Sequence, residues 1–186
     1  MLTFPFEPFP TLTTARLTLR QLQPADAPDL LVLRADPAVM QFIPRPLAQS
    51  VAEVEEHIAL VNARTAQGKS VNWALARRDT NQVVGTIGYV DLLPEHFRAE
   101  VGYLLHPACQ GQGLMQEALA AVLDYGFEQL HLHSVAAIID PLNEASARLL
   151  ERNGFVQEGH FRENEFYNGR FLDAVHYSLL EGRRPR

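Results

Sequence analysis

The stretch His106-Pro-Ala-Cys-Gln-Gly-Gln-Gly113 sets glycines at 111 and 113 just ahead of a run with helical spacing, Leu114, Ala118, Val122 and Tyr125. Without a Cβ, glycine lets backbone N–H groups come close to a ligand. A helix start behind the glycines adds unpaired donors and the positive end of the helix dipole. The chemistry this suits is the binding of a phosphate or pyrophosphate. Two other phosphate motifs fail. The third glycine of the dinucleotide fingerprint would fall on Gln116, and Gly68-Lys69-Ser70 follows a helical segment and has Ala63 in place of its first glycine. On the glycines alone, an ordinary strand-to-helix turn remains an equal reading.

More of the chain joins this pattern. Leu104-Leu105-His106-Pro107 leads into Gln110-Gly111-Gln112-Gly113-Leu114-Met115, then Glu117-Ala118-Leu119. Further on comes Asn143-Glu-Ala-Ser146-Ala-Arg-Leu-Leu-Glu-Arg152-Asn-Gly154-Phe155. These two linked segments resemble the two signatures of the GCN5-related N-acetyltransferases (GNAT). The opening Thr14-Ala-Arg-Leu-Thr-Leu-Arg20 is similar to the start of the RimJ/RimL-like branch, which acetylates ribosomal-protein N-termini. The likeness covers about residues 11–180. Met115 departs from the general pattern, which has Gly or Ala there, and Leu150 stands where many relatives keep a tyrosine as general acid.

The resemblance implies acetyl-CoA as co-substrate, no metal, and direct attack of an amine on the thioester. It implies that the backbone from Gln110, Gly111, Gln112, Gly113 and Leu114 to Met115 holds the pyrophosphate. Leu104 and Leu105 would take the pantetheine arm strand-like, Asn143 would hold its amide, and Arg152 would reach a phosphate. A charge favouring the helix C-terminus is an equal reading of Arg152. With Leu150 unable to donate a proton, Ser146, one helical turn from Asn143, is the candidate for the leaving thiolate, or else a small residue kept for packing. Glu165 matches the glutamate that relatives in this branch use as base. Glu100 competes on its own chemistry: a carboxylate in the apolar run Ala99-Glu-Val-Gly-Tyr103 is costly unless paired, and an ion pair with Arg98 or Arg20 would satisfy it.

Two function classes follow: an N-acetyltransferase, or a non-catalytic acyl-CoA-binding sensor or scaffold, which the missing tyrosine would suit. The acceptor is expected to be a primary amine, either a ribosomal-protein N-terminus or a small molecule. An α-amine has a pKa of about 7.7–8.0 against about 10.4 for lysine, so its neutral form is roughly a few hundredfold more abundant at pH 7. The acceptor pocket is expected between the loop around Phe42 to Pro46 and the final hairpin. His160 and His176 are candidates for its edge. His131 and His133 lack the ligand company of a metal site. Cys109 precedes a helix start, where a thiol can be activated or can simply fit the turn.

The elements that position these residues are legible in outline. Arg16–Arg20 alternates like a half-buried strand, and Pro24–Arg34 reads as a helix. Pro37–Pro46 reads as a loop. Ser50 and Glu53 have capping-box spacing ahead of Val54, Ile58 and Val61, and Gly68 is a natural stop. Strands are expected at 71–77, 83–89, 98–105 and 134–139, a short helix at 144–152, and a hairpin at Asn168-Gly169. This mixed order argues for an α/β fold with one mixed, mostly antiparallel sheet and helices on both faces.

The chain's 186 residues, 47% hydrophobic and 20% charged, suit one core. The expected division is an extended arm over 1–10, a single acetyltransferase domain over 11–182, and a short basic tail over 183–186. A net charge of −6, with basic residues clustered only in that tail, argues against nucleic acid as a partner. No apolar run approaches the roughly 18–20 residues of a membrane span, and nothing at the N-terminus reads as a signal peptide. One cysteine excludes an internal disulfide framework and suits the cytoplasm. A monomer and a homodimer are equally compatible with the sequence.

Overall fold

Along strand β3 (Val71–Arg77) the side chains divide between two cores. Val71, Trp73 and Leu75 belong to one apolar cluster, Ala74 and Ala76 to the other. A strand buried on both faces lies inside a sheet covered from both sides. The computed structural model describes residue 4 and residues 6–184.

The sheet has eight strands in the order β1-β2-β3-β4-β5-β6-β8-β7. They are β1 (Leu12–Thr13), β2 (Leu17–Gln21), β3, β4 (Val83–Leu93), β5 (Arg98–Leu105), β6 (Ser134–Ile139), β7 (Val156–Tyr167) and β8 (Arg170–Leu180). Only β5 and β6 run parallel. On one face, α1 (Ala27–Arg34) and α3 (Val51–Ala66) press Leu30, Leu33, Val54 and Ile58 onto the small side chains of Ala74 and Ala76. On the other, α4 (Leu114–Glu128) and α5 (Glu144–Arg152) cover Trp73, Tyr89 and Val135. Gly126 permits the close seat of α4: a Cβ there would stand 2.0 Å from the Tyr89 hydroxyl, which donates to the Val122 carbonyl at 2.8 Å.

The expected sheet with helices on both faces is the one formed. The details differ where local competition is close. Asp36 accepts from the Ala38 amide, so the stretch expected to be all loop begins with a single helical turn, α2 (Pro37–Met40). Strand β4 runs past Tyr89 to Leu93 because an extra residue, Val90, is absorbed as a bulge opposite β5. The Ser50 hydroxyl caps the Glu53 amide, but the Glu53 carboxylate reaches back to the Gln49 amide. Asn168 and Gly169 both have positive φ, as a tight hairpin turn requires.

At the N-terminus Phe4 and Phe6 are buried in the main core, Phe9 lies edge-on to Trp73, and the Trp73 indole donates to the Pro10 carbonyl at 2.7 Å. Met1–Thr3 and Pro5 of the arm, and Pro185 and Arg186 of the tail, lie outside the described residues. Arg184 turns back onto Asp124 and Glu128 of α4. Among the described residues no helix is long and apolar enough to cross a membrane.

Candidate active site

Strands β5 and β6 pair only from Arg98–Ser134 to Glu100–Ala136. Each then continues, β5 to Leu105 and β6 to Ile139, with no further pairing between them among the described residues. The sheet therefore parts at the carboxyl ends of its one parallel pair, the place where open α/β sheets receive ligands. A cleft of about 590 Å³ occupies the gap. Of the residues expected from sequence to hold a cofactor, Leu104, Leu105, Gln110, Gly111, Gly113, Leu114, Met115, Asn143 and Arg152 all line it. Gln112 does not; it is turned to the loop's own support, its amide side chain donating to the Ala108 carbonyl at 2.7 Å.

The loop is built to leave its amides free. Gly111 and Gly113 have φ of 71° and 78°, which a side chain resists, and Gly113 is the N-cap of α4. The backbone N–H groups from Gly111 to Met115 find no acceptor among the described residues. Behind them, Arg16 acts as a brace. Its Nε meets the Glu117 carboxylate at 2.8 Å, its backbone amide donates to the same carboxylate at 2.8 Å, and its Nη1 donates to the Gln112 carbonyl at 2.8 Å. Burial works against ionisation of Glu117, but hydrogen bonds from Thr14 and Arg16, with the Arg16 charge, hold its carboxyl below the ordinary value. Arg152 lines the far wall from the last turn of α5 and has no ion-pair partner among the described residues.

The opposite wall is the start of α5. The Asn143 Oδ1 caps the helix by accepting from the Ser146 amide at 3.1 Å, which leaves its NH₂ group for the cleft. Ser146 is buried and lines the cleft. Asn153 and Gln116 exchange hydrogen bonds of 2.8 and 3.0 Å, locking α5 to α4. Leu150 is fully buried in the main core. Across from Ser146 stands a residue that sequence reading passed over. Tyr103 lines the cleft, and its buried hydroxyl has no hydrogen-bond partner among the described residues. Burial pushes its phenol up to about 12, and the Ser146 hydroxyl, near it but outside hydrogen-bond geometry, opposes the shift in part. Its position in β5 resembles that of any core aromatic, so nothing in the local pattern marks it.

The carboxylates distribute unexpectedly. Neither Glu100 nor Glu165 lines the cleft. Glu100 is half-buried beside Asp91, and burial followed by that like charge raises its pKa. The ion pairs that could have satisfied it do not form: Arg20 is engaged by Asp26 at 2.8 Å, and Arg98 has no ion-pair partner among the described residues. Glu165 is exposed on β7, paired in register with Leu172. Leu172 lines a second, smaller pocket that adjoins the cleft, and the one carboxylate in the linings of the two is Asp140, at the end of β6. The loop from Phe42 to Arg45 and the hairpin residues Tyr167 and Arg170 meet there, the two segments expected to build an acceptor site. His160 and His176 line neither pocket; His160 pairs with Asp173 at 2.7 Å. Among the described residues no group of three or more His, Cys, Asp and Glu is placed to hold a metal. Cys109 is half-buried against the core at the edge of the cleft.

A family model, the acetyltransferase (GNAT) domain, matches residues 16–156. The chain belongs to the GNAT acetyltransferases. An uncharacterized N-acetyltransferase of Bacillus subtilis, YoaA, is 34% identical to this acetyltransferase over 94% of its length and 99% of the relative's. The spermidine N-acetyltransferase of Vibrio cholerae, solved with CoA and spermine, is 27% identical, with a TM-score of 0.78 over 90% of this chain and 96% of that one. The fold is also that of RimL, a ribosomal L7/L12 α-N-protein acetyltransferase, at 24% identity and a TM-score of 0.83 over 92% of this chain and 94% of that one.

Proposed function

We propose that this N-acetyltransferase moves the acetyl group of acetyl-CoA to a primary amine bound at the mouth of the smaller pocket. The observation that carries the reading is the row of acceptor-free amides from Gly111 to Met115, opening onto the same cleft as Asn143, Ser146 and Tyr103. These residues fit the cofactor. The amides and the α4 N-terminus suit a pyrophosphate, and the unpaired edge of β5 at Leu104 and Leu105 suits an extended amide-bearing arm. The Asn143 NH₂ can donate to that arm, and Arg152 can meet a phosphate.

Bound acetyl-CoA supplies an activated thioester carbonyl. The chain's own residues supply proton traffic. The acceptor arrives as an ammonium and must lose a proton before its nitrogen can attack, which a carboxylate takes directly or through water. Asp140 is the carboxylate in the lining; Glu165, beside Leu172, and Glu100 are the competitors. On the other side, the Ser146 and Tyr103 hydroxyls can return a proton to the departing thiolate. A phenol held near 12 stays protonated throughout the physiological range, as a donor must. Because two hydroxyl-bearing residues line the cleft, the absence of tyrosine at Leu150 does not favour a non-catalytic binder.

Calorimetric titration with acetyl-CoA, together with thiol release across an amine panel, tests the reading. Micromolar binding and amine-dependent thiol release are expected. Asp140→Asn should depress kcat/KM more than Glu165→Gln or Glu100→Gln; the reverse order would move the base to Glu165 or Glu100. Tight CoA binding with no transfer to any amine would return the sensor reading.

A further inference from the structure

The smaller pocket encloses about 220 Å³ and shares Gln41, Phe42 and Ile43 with the cleft as a common wall. That is below the roughly 300–1,000 Å³ of drug-sized sites, so it suits one compact molecule or a single residue. Its charge is arranged unevenly. Asp140 closes the side at the end of β6, while Arg45 and Arg170 enter from the loop after α2 and from the start of β8. Neither arginine makes an ion pair or a side-chain hydrogen bond among the described residues, and neither reaches Asp140. Met40, Phe42 and Leu172 supply an apolar surface between them.

A third arginine, Arg34, stands near the positive side. Burial, then the Arg45 charge, lowers the pKa of Arg34, and burial with the Arg34 charge takes His57 down to about 4. A polyamine would therefore bring further positive charge to a surface already in surplus. A neutral monoamine would leave two guanidinium forks unused. An amine that also carries a carboxylate satisfies both signs, since guanidinium matches carboxylate in geometry as well as charge.

We propose, on top of the acetyl-transfer reading, that the acceptor is a compact α-amino acid with an apolar side chain. Its carboxylate lies between Arg45 and Arg170, its amine at Asp140, and its side chain against Phe42 and Leu172. This separates the chain from a relative whose structure holds spermine, and it places the nitrogen at the end of β6, where the sheet parts.

The test uses the full chain loaded with CoA and titrated calorimetrically with N-acetylphenylalanine and with N-acetylphenylalaninamide, which lacks only the negative charge. The acid should bind about tenfold or more tightly than the amide, the scale of one charge-assisted hydrogen bond. Arg45→Gln and Arg170→Gln should each collapse that ratio toward unity, while CoA affinity stays within about twofold in both exposed-site variants. In turnover, phenylalanine should exceed both phenylalaninamide and spermidine in kcat/KM. Equal binding of acid and amide, a ratio that survives both substitutions, or preferred turnover of spermidine or of a peptide N-terminus would overturn the proposal. Failure of CoA itself to bind would instead overturn the acetyl-transfer reading, and the proposal with it.

Discussion

Arg16, at the entry to the second strand, holds Glu117, in the first turn of α4, through two 2.8 Å hydrogen bonds to one carboxylate. The pair spans the sheet edge and the helix that ends the glycine loop, and the third contact of Arg16, to the Gln112 carbonyl, fixes the loop itself. The loop's free amides are thus oriented before any ligand arrives, which reduces the ordering cost of binding.

Arg16→Ala should weaken acetyl-CoA binding by about three- to tenfold, as expected for lost orientation rather than a lost contact. Glu117→Gln should lower stability at neutral pH. The Glu117 carboxyl is held below its ordinary value, so its contribution is present above the ordinary carboxylate range and disappears as pH falls through the depressed value. Urea midpoints of the wild type and Glu117→Gln should differ at pH 7 and converge in acid. A difference that persists undiminished in acid would sever the link between that ion pair and stability.

Gly113→Glu should leave a folded protein with acetyl-CoA affinity reduced by about 100-fold or more. The substitution forces a φ of 78° on a side chain and puts a negative charge at a helix N-terminus meant for phosphate. Gly126→Ala should act differently: its Cβ would overlap the Tyr89 hydroxyl, costing about 1–3 kcal/mol of stability. Thermal melting and calorimetry on the two variants separate these effects, and matched losses in both assays would contradict the division.

Tyr103→Phe and Ser146→Ala should each lower kcat, by about ten- to a hundredfold, within or below the usual range for a general acid when a second hydroxyl remains. The Tyr103 hydroxyl is buried without a partner, so its removal should not lower stability and should raise it slightly. Lower turnover with an unchanged or higher melting temperature is the signature of a hydroxyl kept for chemistry. A Tyr103→Phe enzyme with full kcat would restrict the assignment to Ser146.

Glu100 predicts the opposite pH behaviour to Glu117. Burial and Asp91 raise its pKa in the fold, so its ionisation costs stability as pH climbs past the ordinary carboxylate value, and the cost is complete above the raised one. Glu100→Gln should therefore stabilise the protein at pH 7 and make little difference at pH 4. Chemical denaturation at those two pH values checks it; a Gln variant less stable at pH 7 would mean the carboxylate has a stabilising partner.

What could be read from the linear chain was whatever depends on near neighbours. The apolar run in Val71–Arg77 marks a strand, Asn168-Gly169 marks a hairpin, and Gly111 with Gly113 ahead of an apolar helical run marks an anion loop, because each is set by backbone geometry over a few residues. The spacing from that loop to Asn143 and Ser146 carried the family and the cofactor wall. Other relationships depended on the order of strands in space. Tyr103 and Ser146 face each other only because β5 and β6 part and α5 closes the gap. Asp140, Arg45 and Arg170 share a pocket because β8 returns to lie beside β6, bringing its hairpin to the loop after α2. Glu100 and Glu165 stood out as charged residues at suggestive positions, but neither is in the cleft lining. A side chain's type is written in the chain; the company it keeps across a hundred residues follows from long-range strand pairing, which local periodicity does not encode.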